Sequence, residues 1–321
     1  MADDAVNGAA VMMIDKWREG VDDQISDEVI EMFWFKDRKK KFVMNSYGPG
    51  YNWNARLTRG TVEGFARETK LQVTRVNRVS QARLTNRGYG MGEMIHWTDL
   101  QENQGQQRLK EFLEETLEGM KGDLYNQIGS GIYDDGTALS SMGFIGANGF
   151  VKTTGTYAGL DQAGSLAAWQ GNVLSGGVHA QFSQDPVRSL NAIKRASIAG
   201  KDLGASYGAA DVAFLPRDKY DVCFETFLRQ MRFGKDKASM DAGWDDHFVY
   251  RGITWWPSDY VPSGTCFAFT SKDIDFRFPT GQFINDFRFK EGIPLATYVL
   301  LVVYGLMRCQ APRGQVKATI V

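Results

Sequence analysis

Residues Asn103 to Ile128 read NQGQQRLKEFLEETLEGMKGDLYNQI, and within them Leu109, Phe112, Leu113, Leu117, Met120, Leu124 and Ile128 recur at spacings of three and four. That period puts them on one stripe of an α-helix, while Glu111, Glu114, Glu115 and Glu118 load the rest of its surface with negative charge. At ~1.5 Å per residue the rod is about 37 Å long. Gly129-Ser130-Gly131 is expected to end it, because glycine is the favoured residue just past a helix C-terminus.

The acidic rod is one band of a charge pattern. Residues 1–35 carry 9 acids and 2 bases, residues 36–90 carry 13 bases and 3 acids, and residues 91–135 return to 10 acids and 3 bases. The net charge of −1 over 321 residues hides this acid, base, acid order. Complementary bands steer docking and fix register, within a subunit or between neighbours.

The acidic start holds two short amphipathic helices, one through Val11, Ile14 and Trp17, the other from Ser26 through Val29, Ile30 and Phe33. They are too short to stand alone and need a surface to pack on. The basic band differs in kind. Apolar residues are sparse, turns are dense at Tyr47-Gly48-Pro49-Gly50 and Asn86-Arg87-Gly88, and Leu71, Val73, Val76 and Val79 are interspersed with Arg and Gln. This reads as a solvated two-stranded excursion, which also needs a second surface.

Beyond the rod comes mixed α/β sequence. Asp185-Pro186 caps a helix running to about Gly200; Ala213 to Leu215 is a strand, and Asp218 opens a helix toward Gly234. Strands follow at 248–250, 253–256, 266–270, 274–278, 286–290 and 295–307, with a turn at Arg251-Gly252. The last is the longest uncharged apolar run, and it falls short of the ~20 residues that span a bilayer. No signal peptide and no membrane segment are read, and Cys223, Cys266 and Cys309 lack any metal-ligand spacing and read as core residues. Trp53, Trp97 and Trp169 stand in polar surroundings that would leave them partly wet in a monomer, which suits an interface.

Chemistry is thinly represented. The three histidines form no paired motif, and Asp245-Asp246-His247 reads as a solvated loop before a strand in preference to a metal or acid/base site. Asp134-Asp135-Gly136 reads as a turn. Gly88, Gly90 and Gly92 are followed by neither Lys-Ser/Thr nor a helix, so phosphate cradling is not expected. No cofactor is implied. Tyr47, Tyr51 and Trp53 in the basic band would suit a nucleic-acid surface with stacking platforms, a reading that competes with an arm docking on acidic partners.

In the order of these elements the chain resembles the major capsid proteins of tailed bacteriophages. Residues 1–41 are similar to the N-terminal arm, 42–98 to the extended β-hairpin loop, 99–142 and 271–313 to the peripheral domain with its spine helix, and 143–270 with 314–321 to the axial domain. The late run Tyr250-Arg251-Gly252-Ile253-Thr254, Val261-Pro262-Ser263-Gly264 and Cys266-Phe267-Ala268-Phe269 resembles the family's Gly-centred turn, Pro-Gly turn and strand, and Tyr304-Gly305-Leu306-Met307-Arg308 and Pro312 its closing segment. The resemblance implies an α+β fold with a long spine helix, a β-rich peripheral domain, a mixed α/β axial domain and an extended hairpin. It also implies a non-enzymatic shell protein forming pentamers and hexamers around double-stranded DNA, with a portal, a separate scaffolding protein and a decoration protein as further partners. DNA contact would be weak and non-specific. No charged helical segment precedes the arm to act as a fused scaffold, and no Lys and Asn pair for cross-linking between subunits is placed.

The expected inter-subunit loop contacts are Tyr51, Trp53, Arg56, Arg59, Arg67, Arg75, Arg78 and Arg83, with Tyr51 and Trp53 as apolar anchors at the loop tip. Their docking surface is Asp22, Asp23, Glu28, Glu111, Glu114, Glu115 and Glu118. Other readings are an encapsulin-like compartment with the same fold, a nucleic-acid-binding protein using residues 36–90, and a metal-dependent enzyme around Asp245, Asp246 and His247.

Overall fold

The computed structural model describes residues 29–44, 48–56, 79–96, 98, 102, 106–163, 169–176, 182, 185–199, 209–227, 247–279, 284–293 and 296–320. The described chain opens on α1 (Ile30–Phe33), continued by a π-helical turn over Trp34–Arg38. Ser26, Val11, Ile14 and Trp17 lie outside the described residues. Val29, Ile30, Met32, Phe33, Trp34 and Phe35 are all buried, so this segment is wrapped by protein on every side instead of along one stripe. Its packing surface is aromatic: Phe33 and Trp34 meet Trp256 edge-on at 6.2 Å, and Phe35 lies 5.5 Å from Phe276.

Five strands form one sheet in the order β1 (Phe42–Val43), β12 (Ile274–Arg277), β14 (Ala296–Cys309), β13 (Ile284–Ile293), and β4 (Arg87–His96) also pairs with β14. The apolar run expected as a buried strand is the central strand, β14, flanked by β13 and β4, but along 300–304 it is buried on one face only: Leu301 and Val303 are in the core, while Leu300 and Tyr304 are 40% and 39% exposed. Gly88, Gly90 and Gly92 alternate along β4 opposite Tyr304, Val302 and Leu300. A Cβ at Gly88 would stand 2.3 Å from the Val303 carbonyl oxygen, so there the strand pairing itself requires glycine.

The acidic rod is α2 (Gln106–Tyr133), 28 residues and about 42 Å long. Its buried stripe, Leu117, Met120, Leu124 and Ile128, packs in one core with Tyr89, Ile95, Leu301 and Val303 of the sheet. The helix does not stop at Gly129-Ser130-Gly131 as expected, and Ile132 and Tyr133 extend the stripe inward. The two glycines serve close approach instead of termination: a Cβ on Gly129 would lie 2.8 Å from the Tyr260 ring, and one on Gly131 only 2.0 Å from the Tyr89 hydroxyl. The real end is built by Asp135, whose Oδ1 accepts the Thr137 N–H at 3.0 Å and its hydroxyl at 2.5 Å, with Gly136 at φ +83°. The Thr137 hydroxyl, and secondarily Lys152 at 3.2 Å, hold this carboxyl down at about 2.

After α3 (Ala138–Ser141) and α4 (Ala147–Phe150), a two-stranded ribbon pairs β5 (Thr156–Tyr157) with β6 (Leu160–Asp161). A six-stranded mixed sheet runs β7 (Asn172–Leu174), β15 (Val316–Thr319), β11 (Thr265–Phe269), β8 (Val212–Leu215), β10 (Ile253–Pro257), β9 (Phe248–Tyr250). Its central strands are buried on both faces, which is why they read as continuous apolar runs. Ala213, Leu215, Cys266 and Ala268 face α5 (Pro186–Ala199) and α6 (Arg217–Phe227), while Val212, Phe214, Phe267 and Phe269 join the core that holds α1 and α2. Asp185 caps α5, accepting the Arg188 N–H at 3.0 Å. Arg251 (φ +51°) and Gly252 (φ +75°) make the tight turn between β9 and β10.

Cys223, Cys266 and Cys309 are buried and unbridged, and burial pushes all three thiols up, Cys223 to about 12. His247 is not in a solvated loop: it is 3% exposed and stacks on Trp256 at 4.4 Å, because the edge strand it leads into lays its ring over the sheet face. Asp245 and Asp246 lie outside the described residues, among which no helix is long and apolar enough to cross a membrane.

Candidate assembly interface

The excursion in the basic band is rooted in an antiparallel pair, β2 (Gly50–Arg56) and β3 (Val79–Thr85), with Tyr51 opposite Leu84, Trp53 opposite Ala82 and Arg56 opposite Val79. Period-two alternation decides what each side chain meets. Trp53, Ala55, Ala82 and Leu84 turn inward and are buried, and Asn52, Asn54, Gln81 and Arg83 turn outward. The backbone of Arg83 is also tied in, its N–H donating to the Ala158 carbonyl at 2.9 Å.

Trp53 and Trp169 therefore differ from expectation. Neither is wet: they are 7% and 1% exposed, with rings 6.4 Å apart and Tyr157 at 6.4 and 5.8 Å. The Trp169 indole N–H donates to the Tyr157 carbonyl at 3.1 Å. Local polarity misleads here because three aromatics distant in sequence supply each other's apolar surroundings. Trp53 sits mid-strand at the root of the excursion, not at a tip, and it is spent on its own subunit.

Tyr51 is half-buried and stacks on Trp53 at 6.2 Å. Its ring is covered by the guanidinium of Arg277 at 3.7 Å and approached by that of Arg308 at 5.1 Å. The two cations share Asp275, which accepts from Arg308 Nε at 2.8 Å and from Arg277 Nε at 3.3 Å, with both NH2 groups on its other oxygen. Shared neutralisation lets two arginines sit together over an aromatic face, where cation–π attraction is strengthened by partial desolvation. The sequence signal for this clamp is the pair Asp275 and Arg277 within an apolar strand; Arg308 joins them through the β12–β14 register.

The acidic side is built by α2. Glu111, Glu115 and Glu118 are exposed on the face away from the core. An open groove of about 500 Å³ runs between α2 and β4, with Met91, Phe112 and Met120 as apolar lining and Glu93, Glu115 and Asp123 as carboxylates. Gly119 lines it too, and a Cβ there would meet nothing within 4 Å. Of the remaining expected contacts, Arg56 and Glu114 are placed by backbone alone, and Arg59, Arg67, Arg75, Arg78, Asp22, Asp23 and Glu28 lie outside the described residues.

One buried acid escaped the sequence reading. Glu31 on α1 is fully buried; its Oε1 accepts the Tyr133 hydroxyl at 2.6 Å and that of Ser258. Burial raises this carboxyl, and the two hydroxyls oppose the rise. It joins the start of the described chain to the end of α2 and the end of β10. The available signal was a single charge inside the apolar run Val29 to Phe35. Among the described residues no group of three or more His, Cys, Asp or Glu is arranged to hold a metal.

The sequence matches no protein-family model and no curated protein. In structure the chain is similar to one from the capsid asymmetric unit of cyanophage A-1(L), with TM-score 0.65 and 15% identity over 84% of this chain and 87% of that one. It is similar to the capsid of Myoviridae phage XM1 at TM-score 0.57 and 12% identity, over 89% and 92%. The holo-SrpI encapsulin complex from Synechococcus elongatus follows at TM-score 0.51 and 11% identity, over 89% and 86%. The long helix packed on a five-stranded sheet, the six-stranded mixed sheet and the paired excursion together are the tailed-phage capsid fold.

Proposed function

We propose that this chain is the major capsid protein of a tailed bacteriophage, a structural protein that assembles as pentamers and hexamers into an icosahedral shell around double-stranded DNA. The observation that carries the reading is the extent of the fold likeness, 84% of this chain against 87% of the cyanophage capsid chain. On this reading residues 1–41 are the arm, 42–98 the extended loop, 99–142 and 271–313 the peripheral domain, and 143–270 with 314–321 the axial domain. The pairing of β2 with β3, from Gly50 opposite Thr85 to Arg56 opposite Val79, supports a loop whose root is that ladder, with β1 and β4 on the five-stranded sheet at its flanks.

Function then lies in contacts between copies. Arg56, Arg59, Arg67, Arg75, Arg78 and Arg83 meet a neighbour's Glu111, Glu114, Glu115 and Glu118, the carboxylates of the α2–β4 groove, or Asp22, Asp23 and Glu28 of its arm. Each exposed pair contributes only ~0.2–1 kcal/mol, and repetition over a shell multiplies the effect. Tyr51 and Trp53 act one step back, holding the loop's root in its own subunit. Their placement also counts against direct nucleic-acid stacking, since Trp53 is buried and Tyr51 lies under Arg277. Portal, scaffolding and decoration proteins would be separate chains.

Electron microscopy of the purified full chain tests the reading, with uniform shells or rings of five and six expected. Arg56→Glu with Arg59→Glu should leave a folded subunit, with unchanged circular dichroism, that forms neither; normal shells from this variant would remove the loop's charge from the account. The encapsulin-like alternative is favoured by the likeness at TM-score 0.51. Particle content separates the two, nuclease-protected DNA for a capsid and a protein cargo for a compartment.

A further inference from the structure

The two large sheets are joined by crossings that lie side by side: Thr270–Asp273 leads from β11 to β12, and Gln310–Gln315 returns from β14 to β15. They are stitched together. Gln310 N–H donates to the Asp273 carbonyl at 2.7 Å, Thr270 N–H to Gln315 Oε1 at 2.8 Å, and the Thr270 hydroxyl to the Gly314 carbonyl at 3.2 Å. A third segment lies across both, with Lys39 Nζ 2.9 Å from Asp211 Oδ2 and Lys41 Nζ donating to the Lys272 carbonyl at 3.3 Å. Asp211, just ahead of β8, accepts the Ser271 N–H at 2.8 Å and the Ser271 hydroxyl.

Inside this knot sits the side chain of Asp273, 3% exposed, with Oδ2 accepting no hydrogen bond among the described residues. Gly314 packs beneath it so closely that a Cβ there would stand 3.3 Å from Oδ2. The oxygen is enclosed by the crossing opposite, and no donor among the described residues is aimed at it.

We propose that Asp273 is a proton-operated latch at the junction of the two sheets: neutral, it lets the crossings close on each other, and charged, it loosens them. The charged and titratable groups facing it are Lys41 from the overlying segment, Lys272 from its own turn, Asp211 just ahead of β8, and Arg308 and Cys309 from β14. Burial lifts its carboxyl to about 7 and Asp211 adds to the lift, against Lys41, Lys272 and Arg308. An acid raised in the folded state stabilises it fully below the ordinary value of 3.8, and that contribution drains away as pH climbs through about 7. The junction is therefore tightest in acid, loosens as pH rises toward about 7 and changes little above it.

Hydrogen exchange of the full chain, corrected for intrinsic rates, reads this directly. Protection of amides 270–273 and 310–315 should fall more than about tenfold between pH 5.5 and 8, one proton's linkage being roughly tenfold per pH unit below the folded-state value. Asp273→Asn should flatten the profile. Should that variant fail to fold, Asp211→Asn keeps the idea exposed: with one negative neighbour gone, the midpoint must move to lower pH. Equal wild-type protection at both pH values, a pH profile retained in Asp273→Asn, or an unmoved midpoint in Asp211→Asn would each overturn the latch.

Discussion

Trp53→Ala is expected to destabilise the subunit by about 3–5 kcal/mol, the usual range for deleting a large buried aromatic. At this chain length that is a drop in melting temperature of roughly 10 °C. The reason is concentration of burial. Among the described side chains of the strands that root the excursion, only Trp53, Ala55, Ala82 and Leu84 are buried, and the Trp53 ring meets those of Tyr157 and Trp169. Losing it opens a cavity between three aromatics and deprives Tyr51 of its stacking partner. Urea unfolding of the full chain measures the loss, and hydrogen exchange should show β2 and β3 deprotected ahead of α2. A loss under 1 kcal/mol, with both strands still protected, would mean that the root is held by the Arg277 and Arg308 clamp alone.

The second large effect is a reversal of sign within one helix. Alanine normally stabilises a helix interior relative to glycine by about 1 kcal/mol, and at Gly122, where a Cβ meets nothing within 4 Å, that gain should appear as a melting point a few degrees higher. At Gly131 the same change drives a Cβ to 2.0 Å from the Tyr89 hydroxyl. Tyr89 cannot step aside: it is 3% exposed, its oxygen accepts the Phe144 N–H at 3.0 Å, and its ring meets Phe144 edge-on at 4.8 Å. Overpacking of this kind costs about 1–3 kcal/mol or more, so Gly131→Ala should melt several degrees below the parent. Adding Tyr89→Phe, which removes the clashing oxygen, should recover part of the loss. Parallel shifts at Gly122 and Gly131 would show that the helix end can slide to make room.

These two sites also mark where sequence runs out as a guide. The rod is legible because its period is local, and β14 because its run of Val, Leu and Tyr favours a strand, although Leu300 and Tyr304 stand outside the core that the run suggests. The end of the rod is not, since glycines at 129 and 131 look like a terminator until Tyr260 and Tyr89 are seen against them. The need for glycine at 88 in β4 is likewise invisible in the sequence, since it resides in the Val303 carbonyl of β14. Trp53 and Trp169 were judged by their neighbours in the chain, whereas their solvent is decided by Tyr157. On α2, the exposed acids Glu111, Glu115 and Glu118 are readable from charge and helical spacing, though only Glu115 of the three lines the groove. Glu93 and Asp123 join them only once β4 is laid beside α2. Glu31 went unread because a charge in an apolar run declares itself buried only when its partners, Tyr133 and Ser258, arrive from 102 and 227 residues away.

The pairing of Arg56 with Val79 has a consequence for how such a chain can change. It holds the two ends of the stretch 57–78 one strand spacing apart, ~4.8 Å, so everything between them is an insertion closed at its base. Lengthening an insertion of that kind costs only about 0.6 kcal/mol per doubling. The body's stability thus leans on the β2–β3 ladder itself and only weakly on how many residues separate the two strands, so a change in that number is loosely coupled to the ability to fold.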